Sequence, residues 1–519
     1  MFYLNTRAPF EAFQMAINDK IYVDKTLMIE PLTRQIGVER RFFCVTKPRR
    51  FGKSINANML AAFYSKGVNA SVLFADKKIA ERTDCLKHMN KHNVISVSLN
   101  QMPENCKSYT EFEDYIKKKL SFDLKMSYPV LKDFSFDALW DMFTAIGEKF
   151  IFILDEWDSI FYKDFMSERD KENYLRFLEG LLKGQPYVEL AYMTGVLPIA
   201  KYSSGSALNM FMEYNFIDDP LFDSYFGFTE KEVRELCSHF EKPSYSEIAY
   251  WYDGYYTSDG ERLFNPRSVN LALSDGVCRN YWTETGPMNE IADCIRNNVD
   301  AVREDMVQLV TGNLIEIKLD GYSASDQRLE TRNEILSAMV VYGFLSYHDR
   351  ILKIPNHELM EKFQRVLSIK GMGKVKQIVE RSEEMLKATI DCDSEKVAAI
   401  LEDIHDAEIP FIKYNDENSL SCVVTLAYLA ARDYYTVTRE EKSGKGYCDY
   451  LFIPNRKSRS AIILELKYGK SALEALDQIK KKNYIQKLEE HQCILLVGIS
   501  YNPKDNKHHE CIIEKLERK

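Results

Sequence analysis

Two groups of residues in this 519-residue chain have the types and spacing to do chemistry. The first is Lys47-Pro48-Arg49-Arg50-Phe51-Gly52-Lys53-Ser54, which follows the apolar run Phe42 to Val45. A buried strand running into a turn that ends Gly-Lys-Ser and opens a helix is suited to a nucleotide's phosphates. Backbone N–H groups wrap them, the lysine sits on the β and γ oxygens, and the hydroxyl ligates Mg²⁺. Residues 47–54 are therefore candidate contacts for ATP, with the helix from Ile55 adding the positive end of its dipole. Lys47 stands where the general G-x-x-x-x-G-K-[ST] pattern has its first glycine. Downstream, five apolar residues end in Asp155-Glu156, as a central parallel strand does when its C-terminal end reaches a site. Asp155 is expected in the Mg²⁺ shell with Ser54, and Glu156 is expected to polarise the attacking water. Alone, either motif is common as a surface turn; in this order they are two halves of one site. Thr194, closing a third apolar run, is a candidate γ-phosphate sensor or a turn residue capping its strand. The sequence assigns no arginine finger.

The second group lies near the other end. Tyr447 to Ile453 reads as a strand carrying Asp449, and Ala461-Ile-Ile-Leu-Glu465-Leu-Lys467 reads as the next. Residues two apart on a strand share a face, so Glu465 and Lys467 point the same way and Asp449 reaches them from its neighbour. Two such carboxylates bind one or two Mg²⁺ or Mn²⁺ ions, which polarise a phosphodiester and acidify bound water. Lys467 then orients that water or balances charge. The bland alternative for Glu-x-Lys is a solvated ion pair. The upstream Asp and the helix that follows, holding Gln478 and Tyr484 and capped by Ser471-x-x-Glu474, favour the metal site. Glu417, on a helix expected over 417–431, is a further candidate metal ligand. Lys442, Lys445, Lys470 and Lys480-Lys481-Lys482 are candidate phosphate-backbone contacts.

The elements that must hold these residues follow from periodicity and caps. Strands are expected at 94–99 and 188–193, a helix at 55–64, and helices opened by the boxes Thr110-x-x-Glu113, Thr229-x-x-Glu232 and Ser244-x-x-Glu247. The strand at 94–99, between the two ATP motifs, suggests the P-loop branch that inserts a strand and carries a catalytic Glu. The entry segment Tyr22 to Thr26 with the amphipathic stretch 27–36 reads as a capped helix packed on a sheet edge or, alternatively, as a segment beside the adenine. The middle, to about 330, reads as helices and loops. A helix, a hairpin turning at His348-Asp349-Arg350 and a second helix then make a winged-helix-like unit, read as a structural lever, with a hinge at Gly371 and Gly373.

Composition is that of an ordinary soluble chain, 45% hydrophobic and 28% charged. The net charge of -9 argues against a protein that coats nucleic acid indiscriminately, while leaving room for a local basic groove. Eleven cysteines without a C-x-x-C pair suggest a reduced cytoplasm rather than disulfides or zinc. No apolar run approaches membrane length and no signal sequence is evident, so no membrane partner is expected.

Taken together, YVDKT at 22–26, PRRFGKS at 48–54, Asp155-Glu156, Thr194-Gly195, GFTEKEV at 227–233, Tyr252-Asp253-Gly254-Tyr255 and Asn265-Pro266 resemble one family throughout. It is the family of AAA-ATPase-like proteins fused to a C-terminal PD-(D/E)xK nuclease-like domain. Members commonly carry Arg or Lys at the first-glycine position, and commonly Trp where this chain has Arg267. The family's PD dipeptide corresponds to Cys448-Asp449. The resemblance implies an α/β multidomain chain: a parallel-sheet P-loop ATPase over 1–228, a helical lid over 229–330, a winged-helix-like connector over 331–412 and a restriction-endonuclease-like α/β/α domain over 413–519. The expected function is ATP binding and hydrolysis, with Mg²⁺- or Mn²⁺-dependent cleavage of nucleic acid, DNA more than RNA, gated by nucleotide state. The alternative is an ATP-dependent switch or scaffold whose C-terminal domain grips nucleic acid or protein without cutting. Homo-oligomerisation is left open.

Overall fold

The computed structural model describes residues 1–517 except 132–135, 137, 200–206, 218, 283–298, 320–330, 368–373, 407–416, 444–445, 457, 483, 485–487 and 489–490. The chain forms two compact units, Met1–Cys294 with Glu316–Met360, and Ile295–Ile315 with Glu361–Lys519.

The first unit is built on the apolar runs, which are buried because helices cover both faces of a parallel sheet. Phe42–Thr46 (β1), Asn93–Ser98 (β2), Phe150–Asp155 (β3), Val188–Gly195 (β4) and Met212–Tyr214 (β5) form that sheet in the order β2-β3-β4-β1-β5. The pairs Thr46↔Gly195, Leu154↔Met193 and Ser98↔Asp155 bring the C-terminal ends of four strands to one edge. A strand does stand between the two ATP-motif strands, as the expected P-loop branch requires, but it is not 94–99. The strand interposed between the phosphate-loop strand and the Asp155 strand is β4; the 94–99 segment lies at the sheet edge, beyond β3. The capping box at Thr110 is also corrected. Ser108 caps the helix Tyr109–Ser127, accepting from the Glu111 N–H, while the Glu111 carboxylate accepts from the Lys107 N–H at 2.7 Å. Thr110 lies inside the first turn. The amphipathic run at 27–36 contains only the short helix Ile29–Thr33.

The boxes at Thr229 and Ser244 form as expected. Their helices, with Pro266–Asp275, gather a second core from Ile248, Tyr252, Phe264, Val269 and Leu273. The middle is not wholly helical. Phe228–Thr229 (β6), Tyr255–Tyr256 (β7) and Arg262–Phe264 (β8) form a small antiparallel sheet. Beyond the short strand Ile315–Glu316 (β9), the helix Arg332–Val341 leads into the hairpin Ser346–His348 (β10) and Ile351–Lys353 (β11). Its two-residue loop is Asp349-Arg350, both at positive φ (49° and 64°), the geometry that matches the twist of paired strands. The hinge expected at Gly371 and Gly373 lies outside the described residues.

The second unit carries the mixed sheet Tyr435–Ser443 (β12), Gly446–Pro454 (β13), Ala461–Tyr468 (β14), Cys493–Tyr501 (β15) and His509–Glu517 (β16), in chain order. Only β14 and β15 run parallel, joined by the crossover helix Ala472–Lys481. The helix from Glu417 ends at Ala427, short of the expected 431, and a 3₁₀ turn follows. Tyr484, expected within the Ser471-capped helix, falls past its end at Lys481. Among the described residues, no helix is long and apolar enough to cross a membrane.

Candidate functional site

At the edge where β1, β3 and β4 end, the turn after β1 folds back with Arg50 and Gly52 both at positive φ (73° and 91°), and the helix Lys53–Tyr64 starts at Lys53. Lys53 is buried, and its ammonium donates to the carbonyls of Lys47 (3.0 Å) and Pro48 (2.8 Å). Burial draws its pKa down to about 8, against the pull of Asp158, Asp155 and Glu156. Asp155 is held above the usual carboxylate range by burial, opposed first by a hydrogen bond with Ser54. It also accepts from the Glu156 N–H at 3.0 Å. Ser54 and Asp155, expected to share the Mg²⁺ shell, are thus in contact. Glu156 adopts φ 53°, in a region that non-glycine residues rarely occupy.

These groups open onto a cavity of about 750 Å³, lined by Arg49, Arg50, Lys53, Ser54 and Glu156 on one side. Ile21, Tyr22 and Val23 of the entry segment line it too. That N-terminal segment is pinned by the Lys25–Glu232 ion pair at 2.7 Å and by Asp24, which accepts from the Thr26 N–H at 2.8 Å. Arg49 stacks its guanidinium 5.7 Å from the Tyr162 ring centroid. Phe51 is an apolar anchor, edge-on to Phe216 and Tyr255.

Three expected contacts sit differently. Lys47 turns its ammonium away from Lys53 into a buried ion pair with Asp219 (2.6 Å) and donates to the Asn215 carbonyl (3.1 Å). A cation at the first-glycine position thus serves to fasten the loop. Pro48 packs where a Cβ on Gly343 would come within 2.7 Å of it. The Thr194 hydroxyl is fully buried and donates to the Val45 carbonyl at 2.7 Å, so it ties β4 to β1.

Asp158 was missed. It is buried, its Oδ2 accepts from the Leu197 N–H at 2.9 Å and its Oδ1 from the Val196 N–H at 3.2 Å, and it lies among the charges acting on Lys53. A Cβ at Gly195 would meet its Oδ1 at 2.3 Å, so only glycine lets β4 end this close. Its spacing, three residues after Asp155, was the available signal.

In the second unit the register Tyr450↔Leu464 sets Asp449 beside Glu465. Asp449 accepts from the Leu466 N–H at 2.6 Å, and Lys467 lies 3.3 Å from Glu465 Oε1, on the same face as alternation requires. Gln478 also donates to Glu465 Oε1. Gly498, opposite Glu465, admits the helix that carries Gln478: a Cβ there would lie 2.4 Å from the Ala472 carbonyl. Glu465 is 1% exposed, and its Oε2 has no hydrogen-bond partner among the described residues. Burial, then the neighbouring Asp449 carboxylate, pushes its pKa up to about 7. A buried, open carboxylate oxygen beside a second carboxylate suits a hard divalent cation. Among the described residues no group of three or more His, Cys, Asp or Glu converges. Glu417 begins its helix, but its side chain, like that of Lys442, lies outside the described residues, as does Lys445.

A family model described as predicted AAA-ATPase matches residues 10–204. A second, for the PD-(D/E)XK nuclease superfamily, matches residues 415–511. The chain joins a predicted AAA-ATPase domain to a PD-(D/E)XK nuclease superfamily domain. The AAA-ATPase match takes in β1 to β4, and the nuclease-superfamily match takes in Asp449, Glu465 and Lys467. No curated protein matches the sequence. Among solved structures, a Walker-type ATPase of Pyrococcus abyssi is 12% identical with a TM-score of 0.33, covering 66% of this chain and 95% of that one. The ORC2 protein of Aeropyrum pernix, in ADPNP–ADP complexes, is 12% identical with a TM-score of 0.29, covering 67% and 96%. Both likenesses are too distant to transfer any property.

Proposed function

We propose that the chain is a nucleotide-driven, metal-dependent nuclease. Lys53 and the backbone of the loop hold the phosphates of ATP, Ser54 and Asp155 hold Mg²⁺, and Glu156 polarises the attacking water. Asp449 and Glu465 hold Mg²⁺ or Mn²⁺ at the second site. The ion supplies Lewis-acid polarisation of a phosphodiester and a more acidic water. Lys467 neutralises charge next to the bound phosphate, and Gln478 orients Glu465. The observation that carries the reading is Glu465, a buried carboxylate with one oxygen satisfied and the other open beside Asp449. DNA is the favoured substrate, with ATP state governing cleavage.

The test is plasmid cleavage by the full chain with Mg²⁺ or Mn²⁺, with and without ATP. Nicking that disappears in Glu465→Ala and Lys467→Ala supports the reading. A gel shift without nicking leaves a binding domain and overturns the nuclease. Phosphate release from Glu156→Gln should fall by about 10²–10⁴-fold; release equal to the parent's would remove Glu156 from the mechanism.

A further inference from the structure

The cavity above Lys53 has a second wall, unassigned so far. Arg267 stands at the start of the helix Pro266–Asp275, which belongs to the second core of the first unit and not to the parallel sheet. Asn265 caps that helix, accepting from the Arg267 N–H (3.0 Å) and the Ser268 N–H (3.2 Å), and Ser268 donates to the buried Glu358 carboxylate. The backbone around Arg267 is therefore fixed by its neighbours, and its own side chain is free of that task. The side chain lines the same cavity as Lys53, Ser54 and Glu156. Its Nε is buried and has no hydrogen-bond partner among the described residues.

Arg267 is near enough to Arg50 that the two cations repel. Arg50 is drawn below its ordinary pKa by burial first, then by Arg267 and Arg49, with Glu156 pulling the other way. Arg49, Arg50, Arg267 and Glu156 all line this cavity, and the terminal phosphate must lie near Glu156 for that residue to reach the attacking water. Three guanidinium groups and Lys53 share that space, while Asp158 and Asp155 are engaged with backbone N–H groups and Ser54. A polyanion relieves such crowding, and the relief is largest for the ligand carrying most charge at that end.

We infer that Arg267 contacts the terminal phosphate of a nucleoside triphosphate from the wall opposite the phosphate loop, so that the site distinguishes triphosphate from diphosphate. The inference rests on the ATP-binding reading above and adds to it a residue that reads nucleotide state.

Calorimetric titration of the full chain with AMP-PNP and with ADP, both with Mg²⁺, tests it in the parent, Arg267→Gln and Arg267→Lys. In Arg267→Gln, AMP-PNP affinity should fall about tenfold or more while ADP affinity changes less than about threefold. Arg267→Lys should keep part of the difference, since a point charge remains. Without nucleotide, the thermal midpoint of Arg267→Gln should match or exceed the parent's, because a repelling cation has gone. Equal losses for both nucleotides, or a lowered midpoint with no change in their ratio, would show a structural arginine and overturn the inference while leaving ATP binding intact. A parent that binds neither nucleotide overturns both readings.

Discussion

At the phosphate loop each buried lysine has its partners inside the protein: Lys47 pairs with Asp219, and Lys53 donates to two loop carbonyls. At the C-terminal sheet, buried Glu465 has one oxygen bonded and the other open. The first site is arranged before its ligand arrives, and ATP has to draw Lys53 away from bonds it already makes. The second keeps one buried carboxylate oxygen without a hydrogen-bond partner among the described residues, beside a second carboxylate, and a cation would satisfy it. Ligand binding should therefore add modest stability to the first unit relative to what its internal pairs supply. It should add a larger share at the second carboxylate pair.

The sharpest way to break the contrast is to make the first site resemble the second. Lys47→Ala leaves Asp219 buried without its cation, and should destabilise the first unit by about 3–5 kcal/mol in chemical denaturation. The double variant Lys47→Met with Asp219→Asn should recover most of that loss, because both charges go while an oxygen still accepts from the Leu221 and Phe222 N–H groups. Failure of the double variant to recover would mean that Lys47 acts by something other than pairing.

Next in size is Gly498→Ala. The added methyl collides with the Ala472 carbonyl and crowds the Leu476 N–H, so the helix Ala472–Lys481 must move off the sheet. Overpacking of this kind costs about 1–3 kcal/mol. Cleavage should suffer more than stability, since the shift takes Gln478 from Glu465. A variant that loses stability but cleaves normally would separate Gln478 from the site. Smaller still is the response to metal. Mn²⁺ or Mg²⁺ should raise the unfolding midpoint of the parent's second unit by roughly 2–4 °C near saturation. Glu465→Gln should melt at least as high without metal, having shed a buried charge, and should lose that rise.

What the sequence revealed, and what it hid, follows from the range of the interactions. The strands ending at Asp155 and Glu465 were legible because an apolar run closing in acid is a local pattern, and alternation alone placed Lys467 beside Glu465. The cap before Tyr109 was misread because Ser108-x-x-Glu111 and Thr110-x-x-Glu113 overlap, and only the fold decides which starts the helix. The edge position of 94–99 was hidden because chain order does not give lateral order in a parallel sheet. Strand β16 holds only the short apolar run Cys511-Ile512-Ile513 among charged residues, as suits an edge, and so gave little to find. Asp158 acts through Val196 and Leu197 and had only its spacing from Asp155 to mark it, while Arg267 lines the cavity from another core and had no neighbour in sequence there.

The smallest expected effect tests whether charge in the second unit is left open only at Glu465. Glu402, on the helix Ser394–Asp406, accepts from the rings of His508 (2.7 Å) and His509 (2.9 Å) and from both backbone N–H groups. Burial opposes its ionisation, but the hydrogen bonds from His509 and His508 outweigh that and hold its pKa at about 2. A carboxylate whose folded pKa lies below its unfolded one binds its proton more weakly in the native state. Its contribution is therefore complete above the ordinary glutamate value of about 4.3 and is lost as pH falls toward 2. The Glu402 side chain is partly exposed, and solvent screening holds the amount to about 1 kcal/mol. Glu402→Gln should flatten the stability of the full chain by that amount between pH 5 and 2, measured by urea unfolding, and leave it lower at neutral pH. An unchanged slope would mean that the clamp between this helix and β16 is held by packing alone, and that Glu402's satisfied charge contributes nothing the open one at Glu465 lacks.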